Sequence, residues 1–115
     1  MSKTPTQLKQ LTIEQLKKLL ASMLSFDWLI SLRDEDAETK QNAARLLSNV
    51  QLQRLQLETT AICEIGEKLK ENEDALVKGK KELEDKLGDL EDLKTIIEAG
   101  SQFVQTIGRI IDVAF

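Results

Sequence analysis

The amino-acid sequence predicts an all-α protein, and three observations carry that prediction. The 115 residues are 41% hydrophobic and 31% charged, yet include only three Phe, one Trp and no Tyr. An aliphatic, aromatic-poor mixture rich in Leu, Lys, Glu and Gln is the composition of long helices and coiled coils. Apolar residues recur at alternating spacings of three and four, which places them on helix faces. Strong breakers are scarce: Pro5 is the only proline, and the five glycines, at 66, 79, 88, 100 and 108, are scattered.

A chain of this length makes one domain and can bury a core without disulfides or metals. The expected architecture is a single helical domain over residues 1–115. It is a long antiparallel helical hairpin with a shorter N-terminal helix, three-helix bundle-like. Helix 1 is expected over about 12–33, helix 2 over about 36–78 and helix 3 over about 80–114. The alternative is an extended coiled-coil rod within an oligomer.

Two capping boxes compete for the first helix start. Thr4-Pro5-Thr6-Gln7 offers an N-cap, a proline at N1 and Gln at N3; Thr12-Ile13-Glu14-Gln15 repeats the pattern. The second is expected to be the firm beginning and the first a frayed turn. From there Leu16, Leu19, Met23, Phe26 and Ile30 form one stripe, widened by Leu20 and Leu24, with Trp28 off its centre. Asp34, Glu35 and Asp36 then favour a helix start over a helix end, because negative charge meets free N–H groups at an N-terminus. Helix 1 therefore stops near Leu32 or Arg33 and helix 2 begins near Asp36. Three adjacent acids on a short turn do not readily converge on a metal ion, so the cluster is read as a helix boundary.

Helix 2 shows no breaker before Gly66. Ala43, Leu47, Val50, Leu57 and Ala61 mark one stripe; Leu52, Leu55, Ile62 and Ile65 mark a second beside it. Two stripes on one helix predict two neighbours. Gln41, Gln51, Gln53 and Gln56 fill the remaining surface with uncharged polar groups.

The stretch LKENEDALVKGKKELEDKL, residues 69–87, decides between rod and hairpin. Counting by sevens from Leu55 reaches Ile62, Leu69, Leu76, Leu83, Leu90, Ile97, Val104 and Ile111, all apolar. That repeat argues for a continuous left-handed coiled coil. The companion positions oppose it: Asn72 or Glu73, and then Gly79 or Lys80, offer no apolar side chain. One helix from residue 37 to 115 would span roughly 120 Å and could not cover its own seam. A reversal near Gly79 is expected, with Asn72 and Gly88 as further candidate turns.

Thr95 to Phe115 is the most apolar part, and Gly100, Val104 and Gly108 fall on one line of it. The segment reads as a core helix of the bundle, with self-association or partner binding second and membrane insertion third. Phe103, Val104, Ile107, Ile110, Ile111 and Phe115 are its candidate partner-binding residues. Glu98, Arg109 and Asp112 make it too polar to span a bilayer and too poor in cations for an anionic lipid surface.

No catalytic chemistry is visible. The chain has no His, which removes the commonest general base and every Ser-His or Cys-His arrangement. No glycine-rich loop is available to cradle phosphate. No metal site, cofactor or small-molecule substrate is expected. A net charge of −4, with no basic cluster and few aromatics, is a poor match to nucleic acid. Cys63, the only cysteine, is expected to be a small buried helix residue. No signal core or uncharged apolar run of spanning length is present, and a cytoplasmic location is expected. The sequence therefore predicts a non-enzymatic structural or adaptor protein. Its partners would be a helical protein or further copies of itself, joined through Leu/Ile stripes. One alternative is a membrane-associated protein using the apolar C-terminal segment. The other is a small acidic regulator or inhibitor of another protein.

Overall fold

A computed structural model describes residues 3–88 and 92–111. Among these residues the chain is all-helical, in six helices: α1 (Pro5–Met23), α2 (Phe26–Arg33), α3 (Ala37–Thr59), α4 (Ile62–Glu71), α5 (Glu73–Leu87) and α6 (Leu93–Ile111). Three expected helices have become six: Ser25, Thr60 and Asn72 interrupt the long ones, and α5 ends at its C-cap Gly88, one of the candidate turns.

α1 starts at the first capping box. The Thr4 hydroxyl accepts the Gln7 N–H at 3.1 Å, and the Gln7 side chain accepts the Thr4 N–H at 2.9 Å. Thr12, expected as the firm cap, lies inside the helix. It is buried and donates its hydroxyl back to the Leu8 carbonyl at 2.7 Å. The second interruption is Ser25. Its hydroxyl accepts the Trp28 N–H at 3.3 Å and donates to the Ser22 carbonyl at 2.6 Å, capping a new helix. Restarting the helix rotates its phase. Trp28, off the predicted stripe, becomes one of the largest fully buried side chains, while Phe26 and Ile30, on the stripe, turn outward. α2 ends at Arg33, and Asp36 caps α3 through the Thr39 N–H at 2.7 Å, where the acidic cluster places the boundary.

α3 stops at Thr59, well before Gly66. Thr59 and Thr60 return their hydroxyls to the carbonyls of Leu55 and Gln56, at 2.9 and 2.6 Å. This local bonding competes with helix propagation, and Thr60 takes extended backbone angles. Lys9 of α1 donates its ammonium to the Thr60 carbonyl at 2.7 Å, placing a cation at the negative end of α3.

Gly79 is not a turn. α5 runs through it without interruption, and no described glycine has positive φ. The helix changes direction at Asn72, whose φ of −105° and ψ of 14° lie in the bridge region. The Asn72 amide donates to the Lys68 carbonyl at 2.8 Å, closing α4. Lys3 and Lys70 fasten this kink to the start of α1. Glu73 accepts the Lys3 N–H at 3.0 Å and the Lys70 ammonium at 2.8 Å. The same ammonium donates to the Lys3 carbonyl at 2.6 Å.

α1 lies against α3, α4 and α5, while α6 lies against α3, α5 and α4. The contacts close a ring α1–α3–α6–α5 around one core, with α2 folded across one end through contacts with α1, α3 and α6. Paired residues give the directions. Lys94 with Asp36 and Gln53 with Val104 make α3 and α6 run the same way. Lys9 with Thr60, and Leu19 beside Leu46 at Gly100, set α1 antiparallel to α3.

The longest dimension is 44 Å, far short of the roughly 120 Å of a continuous helix, so the rod is corrected. The seven-residue ladder survives in another form. Leu69, Leu76 and Leu83 are fully buried within their own chain, each worth roughly 1.5–3 kcal/mol. Leu90 lies outside the described residues. The missing apolar companion at 79 is supplied from across the core. A methyl group built on Gly79 would stand 2.7 Å from Phe103 Cδ1, so the glycine is the hole that this ring fills.

Candidate interaction surfaces

The C-terminal stripe faces inward. Phe103, Val104, Ile107, Ile110 and Ile111 are all buried, against side chains of the same chain. Within the chain these five residues have the surroundings of a core helix; Phe115 lies outside the described residues. The physical reason is that α6 carries a broad apolar face and sits where α3, α4 and α5 can all reach it. Of the two glycines on the α6 line, Gly100 marks a close approach of helices. A methyl on Gly100 would stand 2.8 Å from Leu46 Cδ2 and 3.3 Å from Leu19 Cδ2, so three helices meet at that glycine. Beside Gly108, the Gln53 amide donates to the Val104 carbonyl at 2.9 Å, a side-chain bond between α3 and α6.

What remains outside is more informative. Two groups of large apolar side chains are exposed on the helices. On and beside α2, Phe26 is 75% exposed, and Leu24, Leu29 and Ile30 stand with it. Phe26, Leu29 and Ile30 fall at i, i+3 and i+4, on one ridge of the helix. Buried Trp28 anchors the opposite face. Asp27, Asp34 and Asp36 are exposed beside the ridge, with Arg33 3.5 Å from Asp34 and Lys94 3.6 Å from Asp36. On α3, Leu52 and Leu55 are 55% and 54% exposed. They belong to the second of the two predicted stripes, whose other members, Ile62 and Ile65 on α4, pack into the core, so that only its α3 half stands uncovered.

Three perturbed acids sit at helix boundaries; in a fourth, Glu84 within α5, desolvation raises the carboxyl but Lys18 and Lys80 outweigh it and hold it below the usual range. The Thr39 hydrogen bond at the start of α3, aided by Lys94, holds the Asp36 carboxyl below the usual range. Thr95 does the same for Asp92 ahead of α6, donating its N–H at 3.2 Å and its hydroxyl at 2.5 Å. Hydrogen bonding from Lys70 and the Lys3 backbone lowers Glu73. These are local structural groups, and none faces another acid across a cleft. A groove of about 590 Å³ runs between α3 and α6. Asn42, Arg45, Asn49, Lys94, Glu98 and Ser101 line it with mixed charge and no converging set of donors. Cys63, expected to be buried, is exposed on α4.

Among the described residues no three His, Cys, Asp or Glu side chains are placed to hold a metal ion. No described helix is long and apolar enough to cross a membrane. The chain matches no protein-family model, no curated protein and no solved structure.

Proposed function

We propose that this chain is a non-enzymatic structural or adaptor protein that lays the α2 ridge into an apolar groove of another helical protein. One observation carries the reading: four large apolar side chains stand in solvent at α2 while the apolar face of α6 is sealed inside. Exposed apolar side chains gathered on one ridge mark an interaction site, and anchors at i, i+3 and i+4 are the pattern by which a helix is read in a groove. The acids around the ridge favour a groove edged with Lys or Arg. They also disfavour anionic lipid, so a protein partner is preferred to a membrane. The same acidic rim keeps the regulator reading alive, as an occluding ridge over a basic-edged cleft.

A photoreactive phenylalanine analogue at position 26 tests this in extract of the native cell. The expected result is one discrete protein adduct that is lost when Leu29→Asp and Ile30→Asp are added. An absence of protein adducts, or adducts indifferent to those changes, overturns it. Flotation with neutral phosphatidylcholine vesicles, if dependent on Phe26, supports the membrane alternative instead.

A further inference from the structure

The outer stripe of α3 has a property that the α2 ridge lacks. Gln41, Arg45, Ser48, Leu52, Leu55 and Thr59 follow one another at spacings of four, three, four, three and four. That is the a/d alternation of a helix–helix seam. Leu52 and Leu55 stand in solvent at its centre, and no residue between Glu38 and Glu58 is acidic. The positions of the stripe are also symmetric. Gln41 and Thr59, Arg45 and Leu55, Ser48 and Leu52 are three pairs centred on the level of Val50.

We propose that a second copy of this chain covers this face, its α3 antiparallel to the first about a two-fold axis at the level of Val50. In that register each stripe residue meets its symmetric mate, as an isologous interface requires. Leu52 packs over the small Ser48 of the second copy, and Leu55 packs against the Arg45 alkyl stem. The charges agree with the register. Lys40, which forms no ion pair among the described residues, and Glu58 lie on the same flank of the stripe. They come within one helical turn of each other across the two-fold, and do so twice. In the monomer Glu58 already faces Lys17 at 3.8 Å and Arg54 at 3.9 Å, so Lys40 of the second copy would share the carboxylate with them. Arg45 meets Gln56 of the second copy and no like charge. One helix pair falls at the small end of specific interfaces, below about 1,200 Å², so the dimer is weak and reversible.

This inference stands on α3 and is independent of the α2 reading, which concerns a different partner and a different face. Sedimentation equilibrium of the full chain over a wide concentration range tests it. The expected result is a molar mass rising from monomer towards dimer, abolished by Leu52→Asp with Leu55→Asp. Both positions are exposed, so that variant keeps its helical circular dichroism; Phe26→Asp leaves the mass curve unchanged. Register is read by oxidation in a Cys63→Ser background. A mixture of Gln41→Cys and Thr59→Cys chains forms the mixed disulfide, and neither chain links to itself. A chain monomeric at every concentration, a dimer that survives the Leu52 and Leu55 changes, or a Gln41→Cys chain that links to itself overturns the proposal.

Discussion

Gly79→Ala is the substitution that separates a turn from a packing hole. In the interior of an exposed helix this change stabilises by about 1 kcal/mol, through helix propensity and a less disordered unfolded chain. At Gly79 the new methyl would stand 2.7 Å from Cδ1 and 3.4 Å from Cε1 of Phe103. Carbon atoms pack at about 3.5–4.0 Å, so the ring must retreat by nearly an ångström. Phe103 is buried and held by its neighbours, and overpacking of this kind costs about 1–3 kcal/mol. The balance is a loss of about 0–2 kcal/mol in chemical denaturation followed by circular dichroism. Gly88→Ala is the control, because among the described residues its methyl meets only the Asp85 carbonyl, at 3.7 Å; it is neutral or stabilising. Phe103→Leu is the second arm of a double-mutant cycle. In that background Gly79→Ala becomes neutral or favourable, because the clashing ring is gone. A stabilising Gly79→Ala with no coupling to Phe103 would refute the packing of α5 on α6.

The other predictions draw on the interior and on the helix ends. Gln15 is fully buried, and neither its amide nitrogen nor its oxygen has a hydrogen-bond partner among the described residues. Gln15→Leu is expected to raise the denaturation free energy by about 1–3 kcal/mol, since an unsatisfied polar group is removed. Ile107→Asp places a charge in the core and is expected to abolish the cooperative thermal transition at any protein concentration. Gly100→Val destabilises, because the added carbons enter the space of Leu46 and Leu19; scanning calorimetry should register a lower melting temperature. Asp36 and Asp92 have lowered folded-state pKa values, so the stability they contribute is present above the ordinary carboxylate range and is lost as pH falls through the lowered values. Asp36→Ala therefore melts below the wild-type chain at neutral pH, and the gap closes in acid.

Much of the helical character was legible because period and composition agree from Leu16 to Ile111. The boundary at Asp36 was legible because acids and a helix N-terminus have a direct electrostatic relation. The breaks at Ser25 and Thr60 were not, since each depends on a hydroxyl bonding a nearby carbonyl or N–H, and Ser and Thr occur inside helices as well. Thr12 shows that ambiguity, satisfying a capping pattern while sitting within α1. Gly79 misled because a small residue in a polar stretch reads as a turn, whereas its partner, Phe103, is 24 positions away in sequence. The candidate surfaces follow from the same difficulty. A helix restart at Ser25 exchanges Trp28 for Phe26 and Ile30 at the surface, and nothing in the stripe announces the change of phase. On α3, by contrast, the two stripes were visible from the start, and only coordinates tell that Leu52 and Leu55 of the second are left uncovered.

Amide hydrogen exchange along α6, measured at several protein concentrations down to high dilution, tests most directly whether the chain seals its own C-terminal stripe. The account predicts the slowest exchange at Ile96–Ile110, with protection that does not change on dilution. Rapid exchange of these amides in the dilute chain, with protection appearing only as molecules associate, would contradict it and return the stripe to a partner.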